Sequence, residues 1–271
     1  MSLLNYPGCL GDINLASAKT IDTIKKFEIE NIISPFITGG YFEIYIASKG
    51  VNVEASSQSQ HIVDMWDVAK NNMPNLVDKI IQMLEHAGGN RNHFSTVVQN
   101  RYEIENKLEK TALNIILNRL TRNGGSMRPV KKNQYFSNYA IQSKSLYKKS
   151  TQGQLIFDFD FTELLELDLQ NISVSKANPI EVVKQNTDNF LFLYPPSVMY
   201  PKPVQGDDES QMENFDHKAL HKALLERDKW ILLAEDDGFI SQTLSDDGIN
   251  IQEIKSFKVT DTYNLLLITK A

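Results

Sequence analysis

The sequence predicts an α/β protein with a doubly wound sheet of the nucleotide-binding kind. Three observations lead to this prediction. Short apolar runs of strand length alternate with amphipathic helical stretches. A turn containing Gly39 and Gly40 follows the first long apolar run, and a second run at residues 190–193 stops at Pro195-Pro196. Open α/β sheets bind ligands beyond the carboxyl ends of their strands, so both turns are predicted site positions.

The first third of the chain alternates between helical and strand-like patterns. Residues 41–47 are predicted to form a helix that packs back onto the sheet, and Met73-Pro74 is predicted to separate two amphipathic helices. In chain order, the predicted elements are a helix at 21–27, a strand at 31–36, a helix at 41–47, a strand at 50–54 and helices at 61–70 and 76–86. This order is typical of the start of a nucleotide-binding fold.

The pattern changes between residues 88 and 168. Residues 102–120 are strongly helical, whereas residues 121–149 are polar and basic. We therefore predict that residues 88–168 form an inserted, helical and basic subdomain, and that residues 1–87 and 169–271 form the α/β domain. The later elements of that domain are predicted as strands at 172–174 and 190–193, a helix at 217–227, a strand at 230–233 and an edge hairpin at 251–259 and 264–269.

Composition predicts a soluble, cytoplasmic protein. The chain has 271 residues, of which 41% are hydrophobic, and it contains no apolar run of membrane-spanning length. Its first residues lack the basic and then apolar pattern of a secretory signal. The single cysteine, Cys9, excludes an internal disulfide and fits a reducing compartment.

Charge is distributed unevenly along the chain. The net charge is −6, yet residues 111–150 contain eight basic residues and no acidic one. These are Arg119, Arg122, Arg128, Lys131, Lys132, Lys144, Lys148 and Lys149. Interleaved tyrosines suit contacts with nucleic-acid backbone and bases, so the segment predicts a phosphate-binding face. The alternative is an ordinary solvated surface.

No metal site is predicted. His217 and His221 have the i, i+4 spacing of two ligands on a helix, but the glutamate and third ligand of a zinc site are missing. We expect both histidines to be surface residues of a helix. Cys9 has no partner base, so a nucleophilic role is not expected either.

The turn at residues 35–40 is the first candidate site. Glycines after a buried strand allow the backbone to approach a bound nucleotide, although a plain turn at the strand end is the alternative. Its sequence, Pro35-Phe36-Ile37-Thr38-Gly39-Gly40, resembles the Pro-Phe-x-Gly-Gly-Gly cofactor loop of Dam-type adenine methyltransferases, with Thr38 in place of the first glycine.

The same family resemblance extends along most of the chain. Tyr194-Pro195-Pro196-Ser197 resembles the family's catalytic Asp/Asn-Pro-Pro-Tyr motif. Residues 5–10 are similar to the family's N-terminal Lys-Trp-Ala-Gly-Gly-Lys, and residues 117–124 to its Leu-Asn-Arg/Lys-Thr-x-Phe-Asn-Gly segment. Residues 216–237 and 265–269 resemble the elements after the catalytic motif and the closing strand. The matches are collinear.

The resemblance implies a Rossmann-like class I methyltransferase sheet, a helical insertion that reads double-stranded DNA, and methyl transfer from S-adenosylmethionine to a flipped-out adenine. The cofactor positions it implies are Tyr6, Gly8, Pro35, Phe36, Gly39, Gly40 and Ser57. The catalytic positions are Tyr194, Pro195, Pro196 and Ser197. The DNA-binding positions are Arg119, Arg122, Asn123, Gly124, Arg128, Lys131 and Lys132.

Departures from the family pattern predict impaired catalysis. Tyr194 cannot act as a carboxylate, and Ser197 has no ring to stack on a base, although Tyr200 is close enough in sequence to substitute partly. Ser57 replaces the acidic residue that holds the cofactor ribose, and both N-terminal lysines are absent. We expect a divergent homologue that binds DNA or a protein partner, with S-adenosylmethionine binding reduced or lost. The alternatives are an active methyltransferase with an atypical motif, and a structural or regulatory protein that binds neither DNA nor cofactor.

Overall fold

The computed structural model describes residues 3, 13–87, 104–120, 147–149, 155–157, 161–195, 215–236, 238–244, 248–258 and 262–270. Within these ranges, residues 13–15, 117–120, 147–149, 155–157, 235–236, 239, 255–258 and 262–264 are described by their backbone alone.

Helices and strands alternate through most of the described chain. The helices are α1 (Ile13–Lys26), α2 (Tyr41–Ala47), α3 (Gln60–Ala87), α4 (Lys107–Leu120), α5 (Pro179–Gln185), α6 (His217–Leu225) and α7 (Phe239–Thr243), with a 3₁₀ helix at Phe161–Glu166. The strands are β1 (Asn31–Ser34), β2 (Asn52–Ser57), β3 (Tyr147–Lys149), β4 (Leu155–Phe157), β5 (Ile172–Lys176), β6 (Phe190–Leu193), β7 (Trp230–Asp236), β8 (Asn250–Lys258) and β9 (Thr262–Lys270).

Among the described residues, seven strands form one mixed sheet in the order β5-β2-β1-β6-β7-β9-β8. The neighbouring strands β5, β2, β1, β6 and β7 are parallel, whereas β9 runs antiparallel to both β7 and β8. The short strands β3 and β4 pair separately. The predicted α/β class and the predicted hairpin near the end of the chain are confirmed. The hairpin extends the sheet through β9, because β9 pairs with β7 and leaves β8 at the edge.

Both faces of the sheet are covered by helices. Alternate residues of β1 point to opposite faces: Ile32 belongs to a core cluster that includes residues from α1 to α4, and Ile33 to a cluster with residues from α5 to α7. All four residues of β6 are buried, as expected for a central parallel strand covered on both sides. The described fold is therefore wound in two directions from β1.

The helix after β2 contains the break that the sequence predicts, although the two segments remain contiguous. Asn72 has φ −149° and ψ 35°, outside the helical region. Pro74 has no N–H to donate to the carbonyl of Lys70 four residues earlier, so the helix changes direction just before it.

Helix α4 packs against α3 and joins the main core. It begins at Lys107, later than the predicted residue 102, because the Asn106 side chain accepts a 3.0 Å hydrogen bond from the Glu109 amide and caps the helix. Ala112, Leu113, Ile115 and Ile116 of α4 are part of the core cluster on the α1–α4 face, as are Phe161 and Leu164 of the 3₁₀ helix. Parts of the predicted 88–168 insertion therefore share the core of the α/β sheet, and its boundaries as a separate subdomain stay a prediction.

Candidate functional site

The direction of winding reverses between β1 and β6. From β1 the chain continues through β2 to β5 on one side, and then returns to β6 and β7 on the other. The two neighbours pair in register, with Ile32 opposite Phe190 and Ile33 opposite Leu191. This is the topological switch point, where open α/β sheets bind their ligands.

Two predicted site segments flank this switch point. Residues 35–40, called here the β1 loop, follow β1 directly, and Tyr194 and Pro195 follow β6 directly. The segments are about 155 residues apart in sequence, yet parallel pairing brings them to the same edge of the sheet. The fold thus brings the loop close to Tyr194 and Pro195.

Backbone hydrogen bonds hold the β1 loop on two sides. The amide of Ile37 donates to the carbonyl of Ser56 at 3.1 Å, which ties the loop to the end of β2. The amide of Leu3 donates to the carbonyl of Gly39 at 2.9 Å, and Leu3 itself is fully buried. The start of the chain therefore contacts the loop, close to the switch point.

Gly40 is required by an internal contact. It has φ 72°, in the left-handed region, and a Cβ built there would lie 2.1 Å from Cζ2 of Trp66. The same indole donates from Nε1 to the carbonyl of Thr38 at 2.8 Å. Trp66 thus fills the space beside Gly40 and holds the loop from α3. Gly40 alone is therefore no sign of a ligand, and sequence reasoning missed Trp66 because the two residues belong to different elements.

Ser57 lies at the carboxyl end of β2, next to the β1 loop, and is 8% exposed. Its hydroxyl accepts a 3.3 Å hydrogen bond from the amide of Ser59, so the side chain closes the turn into α3. Glu54 is the acidic residue of β2 that precedes Ser57. It pairs with Ile33 of β1, three residues before the end of the strand. β2 therefore has no acidic residue at its carboxyl end.

Tyr194 is half-buried and packs against α2. Its ring lies 5.2 Å from the ring of Phe42 at an interplanar angle of 77°, which is an edge-to-face contact. Phe42 also contacts Phe192, at 5.6 Å between ring centroids. The phenol ring is thus held between the end of β6 and the helix that leaves the β1 loop. Pro195, which follows it, is buried.

Phe36 connects the β1 loop to the start of α6. Its ring lies 5.4 Å from that of Phe215 in an edge-to-face contact. Phe215 immediately precedes Asp216, whose side chain caps α6 by accepting a 2.9 Å hydrogen bond from the amide of Ala219. The beginning of α6 therefore lies close to the same edge of the sheet.

Sequence reasoning also missed a buried carboxyl group beside the switch point. Glu43, in the first turn of α2, is 5% exposed, and its Oε1 accepts a 2.7 Å hydrogen bond from the hydroxyl of Ser34. Burial raises the pKa of the Glu43 carboxyl, and the hydrogen bond from Ser34 opposes that rise. Glu43 occupies a helix position that otherwise looks apolar, flanked by Phe42 and Ile44.

The expectation that both histidines of α6 are surface residues is wrong for His221. His221 is 3% exposed, and its Nδ1 lies 2.8 Å from the hydroxyl of Thr243. His217 is half-buried, and burial, followed by the proximity of His221, lowers its pKa to about 4. The reason is positional: His217 and His221 share one stripe of the helix with the buried Leu220 and Leu224.

Several predicted site residues lie outside the described ranges, so their positions stay predictions. These are Tyr6, Gly8, Arg122, Asn123, Gly124, Arg128, Lys131, Lys132, Pro196 and Ser197. Arg119 belongs to α4, where only its backbone is described. Among the residues that the structure describes, no group of three or more His, Cys, Asp or Glu side chains is arranged to hold a metal ion. Within the same ranges, no helix has the length and apolar character needed to cross a membrane.

No protein-family model matches the chain, and no curated protein matches it in sequence.

Proposed function

We propose that this chain is a divergent relative of the Dam-type adenine-specific DNA methyltransferases, with an impaired active site, and that it acts by binding DNA or a protein partner. The observation that supports this proposal most is the position of Tyr194. It follows β6 at the switch point, beside the β1 loop, where the family resemblance expects the catalytic Asp or Asn.

The strand order supports the family assignment. The parallel strands β5-β2-β1-β6-β7 follow the order 3-2-1-4-5 of the Rossmann fold. The antiparallel β9 lies between β7 and β8. An antiparallel last strand inserted beside the fifth strand is the arrangement of the class I methyltransferase sheet that the resemblance implies.

Impaired catalysis follows from the chemistry of the motif. The exocyclic amine of adenine is a poor nucleophile because its lone pair is delocalised into the ring, so the family uses a carboxylate or amide oxygen to accept its hydrogens. A phenol is ordinarily protonated at neutral pH, and its oxygen lies further from the backbone. If an oxyanion-hole donor is a fair guide, losing such a group costs about 3–4 kcal/mol of transition-state stabilisation.

The described residues fit a nucleoside cofactor in part. The β1 loop has a fixed backbone at the switch point, where Pro35, Phe36, Gly39 and Gly40 would contact S-adenosylmethionine. Ser57 offers a hydroxyl where the resemblance expects a carboxylate for the ribose, and that hydroxyl already accepts a hydrogen bond from the Ser59 amide. When bound, the cofactor supplies an electrophilic methyl group. We expect its binding to be weaker than in the family.

The second candidate is an active adenine-specific DNA methyltransferase in which Tyr194 and Tyr200 take over the acceptor and stacking roles. The placement of Tyr194 at the switch point favours this reading over a purely structural role. It predicts that Tyr194→Ala and Pro195→Ala abolish DNA modification. If neither substitution changes modification, this candidate fails.

Two measurements test the proposal. Tritium transfer from labelled S-adenosylmethionine to DNA is expected at background level, and transfer at the rate of an active methyltransferase contradicts impairment. A DNA mobility-shift assay is expected to show salt-dependent binding that the Lys131→Glu, Lys132→Glu double variant weakens. The matched control is the Lys25→Glu, Lys26→Glu variant, which reverses two exposed charges on α1. Equal weakening by both variants contradicts the DNA-binding assignment.

A further inference from the structure

The helix after the β1 loop carries a buried acid where many doubly wound folds bind phosphate. In those folds, a glycine-containing turn after the first strand leads into a helix whose N-terminus receives a phosphate group. Here the turn leads into the seven-residue α2, whose first turn contains Glu43. The Glu43 carboxyl group is 5% exposed and is hydrogen-bonded at 2.7 Å to Ser34, the last residue of β1.

The buried acid has an electrostatic effect on anything bound at this edge. Burial disfavours the ionised carboxylate, whereas the hydrogen bonds from the Ser34 hydroxyl and from the backbone amide of Glu43 favour it and oppose part of that effect. A phosphate group bound at the β1 loop adds a second negative charge and raises the free energy of the ionised acid further. A positively charged ligand group lowers that free energy, because opposite charges favour ionisation.

We propose that Glu43 makes the β1 loop selective for nucleoside ligands that carry a positive charge and against nucleoside ligands that carry phosphate. This inference rests on the proposed function only in placing a nucleoside at the β1 loop. Glu43 acts through Ser34, which ends β1 directly before the loop, and through the field of its carboxyl group, so it is a specificity residue. It takes no part in methyl transfer.

The first experiment compares three probes by calorimetry. S-adenosylmethionine carries a sulfonium, an ammonium and a carboxylate group and is positive overall, adenosine is uncharged, and ATP carries a triphosphate. The wild-type chain is expected to prefer S-adenosylmethionine over ATP. Glu43→Gln keeps an oxygen acceptor for Ser34. In this variant, the dissociation constant for ATP divided by that for S-adenosylmethionine is expected to fall about tenfold or more, while adenosine affinity is unchanged.

The matched control is Glu54→Gln. Glu54 is an exposed acid of the neighbouring β2, so the same substitution there removes a surface carboxylate and leaves the buried site intact. The Glu54→Gln variant is expected to have the same ligand preference as the wild type. If both variants change the preference to the same extent, the effect belongs to the net charge of the protein and the role of Glu43 is wrong.

A second readout follows the proton of Glu43. Binding of S-adenosylmethionine is expected to release a proton from the wild-type chain, because a positive ligand charge lowers the raised pKa of Glu43. The release is measured at a series of pH values as a difference in binding enthalpy between buffers of different ionisation enthalpy. Glu43→Gln removes this release. Ser34→Ala keeps the acid but deletes its hydrogen bond, so proton release is expected to move to higher pH.

The outcomes separate this inference from the proposed function. The inference is overturned if Glu43→Gln prefers S-adenosylmethionine over ATP to the same extent as the wild type, or if proton release persists in that variant. So does a wild-type chain that binds none of the three probes, or one that binds ATP most tightly. Methyl transfer and DNA binding are measured independently, so they decide the proposed function whatever the ligand preference. If Glu43→Gln does not fold, the shift in Ser34→Ala decides the inference.

Discussion

The indole of Trp66 occupies the space that a side chain at residue 40 would need: a Cβ on Gly40 would lie 2.1 Å from Cζ2 of Trp66. Gly40 also has φ 72°, a backbone conformation that is unfavourable for residues with a Cβ atom. Helix α3 therefore fixes the path of the β1 loop through a contact that only glycine permits.

Gly40→Ala is expected to destabilise the protein by about 2–4 kcal/mol, because it adds an overpacking cost to backbone strain. The control is Gly50→Ala, where φ is 87° but no atom lies within 4 Å of the added Cβ, so only the strain applies. Urea denaturation measures the loss in free energy of unfolding for both variants. Equal losses at the two positions show that Trp66 does not set the cost.

Glu43→Gln is expected to stabilise the protein at neutral pH. The folded-state pKa of Glu43 is raised above 4.5, so its contribution to stability is fully present below pH 4.5 and is lost as pH rises through the folded pKa. The glutamine variant has no such loss. The difference in free energy of unfolding between the two proteins should therefore increase from acidic to neutral pH. A difference that is constant with pH excludes the buried acid as its source.

His217 is expected to make the protein less stable in acid. Its folded pKa of about 4 lies below the model-compound value of 6.5, so its contribution is fully present above pH 6.5 and is lost as pH falls towards 4. Burial is the main cause, followed by the neighbouring His221, while Asp216 opposes the shift. Thermal unfolding of His217→Gln should show a weaker pH dependence in this window. The control is His86→Gln, at an exposed position of α3, which should follow the wild type.

Arg227 anchors the segment that leads into β6. Its guanidinium donates from Nη1 to the carbonyl of Val183 at 2.7 Å and from Nη2 to the carbonyl of Asn189 at 2.6 Å, and the residue is 6% exposed. Arg227→Ala leaves these carbonyls without a charged donor and is expected to cost about 3 kcal/mol or more. Lys184→Ala, which removes an exposed ion pair with Glu181, should cost less than about 1 kcal/mol. Similar losses for both substitutions contradict an anchoring role.

A Tyr194→Asp, Ser197→Tyr double variant is expected to gain methyl transfer. It restores a carboxylate at the end of β6 and an aromatic residue after the prolines, as in the family motif. If the missing acceptor is the main defect, tritium incorporation into DNA should rise by roughly a hundredfold or more. Tyr194→Phe is the control, because it supplies no acceptor. A double variant that binds cofactor and DNA but transfers no methyl group places the defect elsewhere.

Local sequence patterns predict many of the elements. The apolar run at residues 190–193 becomes β6 with the same bounds, and residues 41–47 become α2, because each pattern is complete within one element. Short elements were missed, among them α5 at Pro179–Gln185, which begins after a capping Asn178. Its side chain accepts from two amides of the first turn, a local signal that the sequence does contain.

The candidate site was predicted in part. The β1 loop and Tyr194 were identified from strand ends, and the strand order brings them together. Trp66 and Glu43 were not identified, because their importance depends on contacts with residues of other elements. His221 was misplaced because a histidine on an otherwise apolar stripe gives no sign of whether a buried partner such as Thr243 is present.

The α/β class, the central strands and the two turns that end them follow from local residue patterns, since apolar periodicity and proline or glycine act over a few neighbouring residues. Strand neighbours, the packing of Trp66 beside Gly40 and the hydrogen bond between Ser34 and Glu43 become visible only in the folded protein. These contacts join separate elements, and they exist only after parallel pairing has placed the strand ends together.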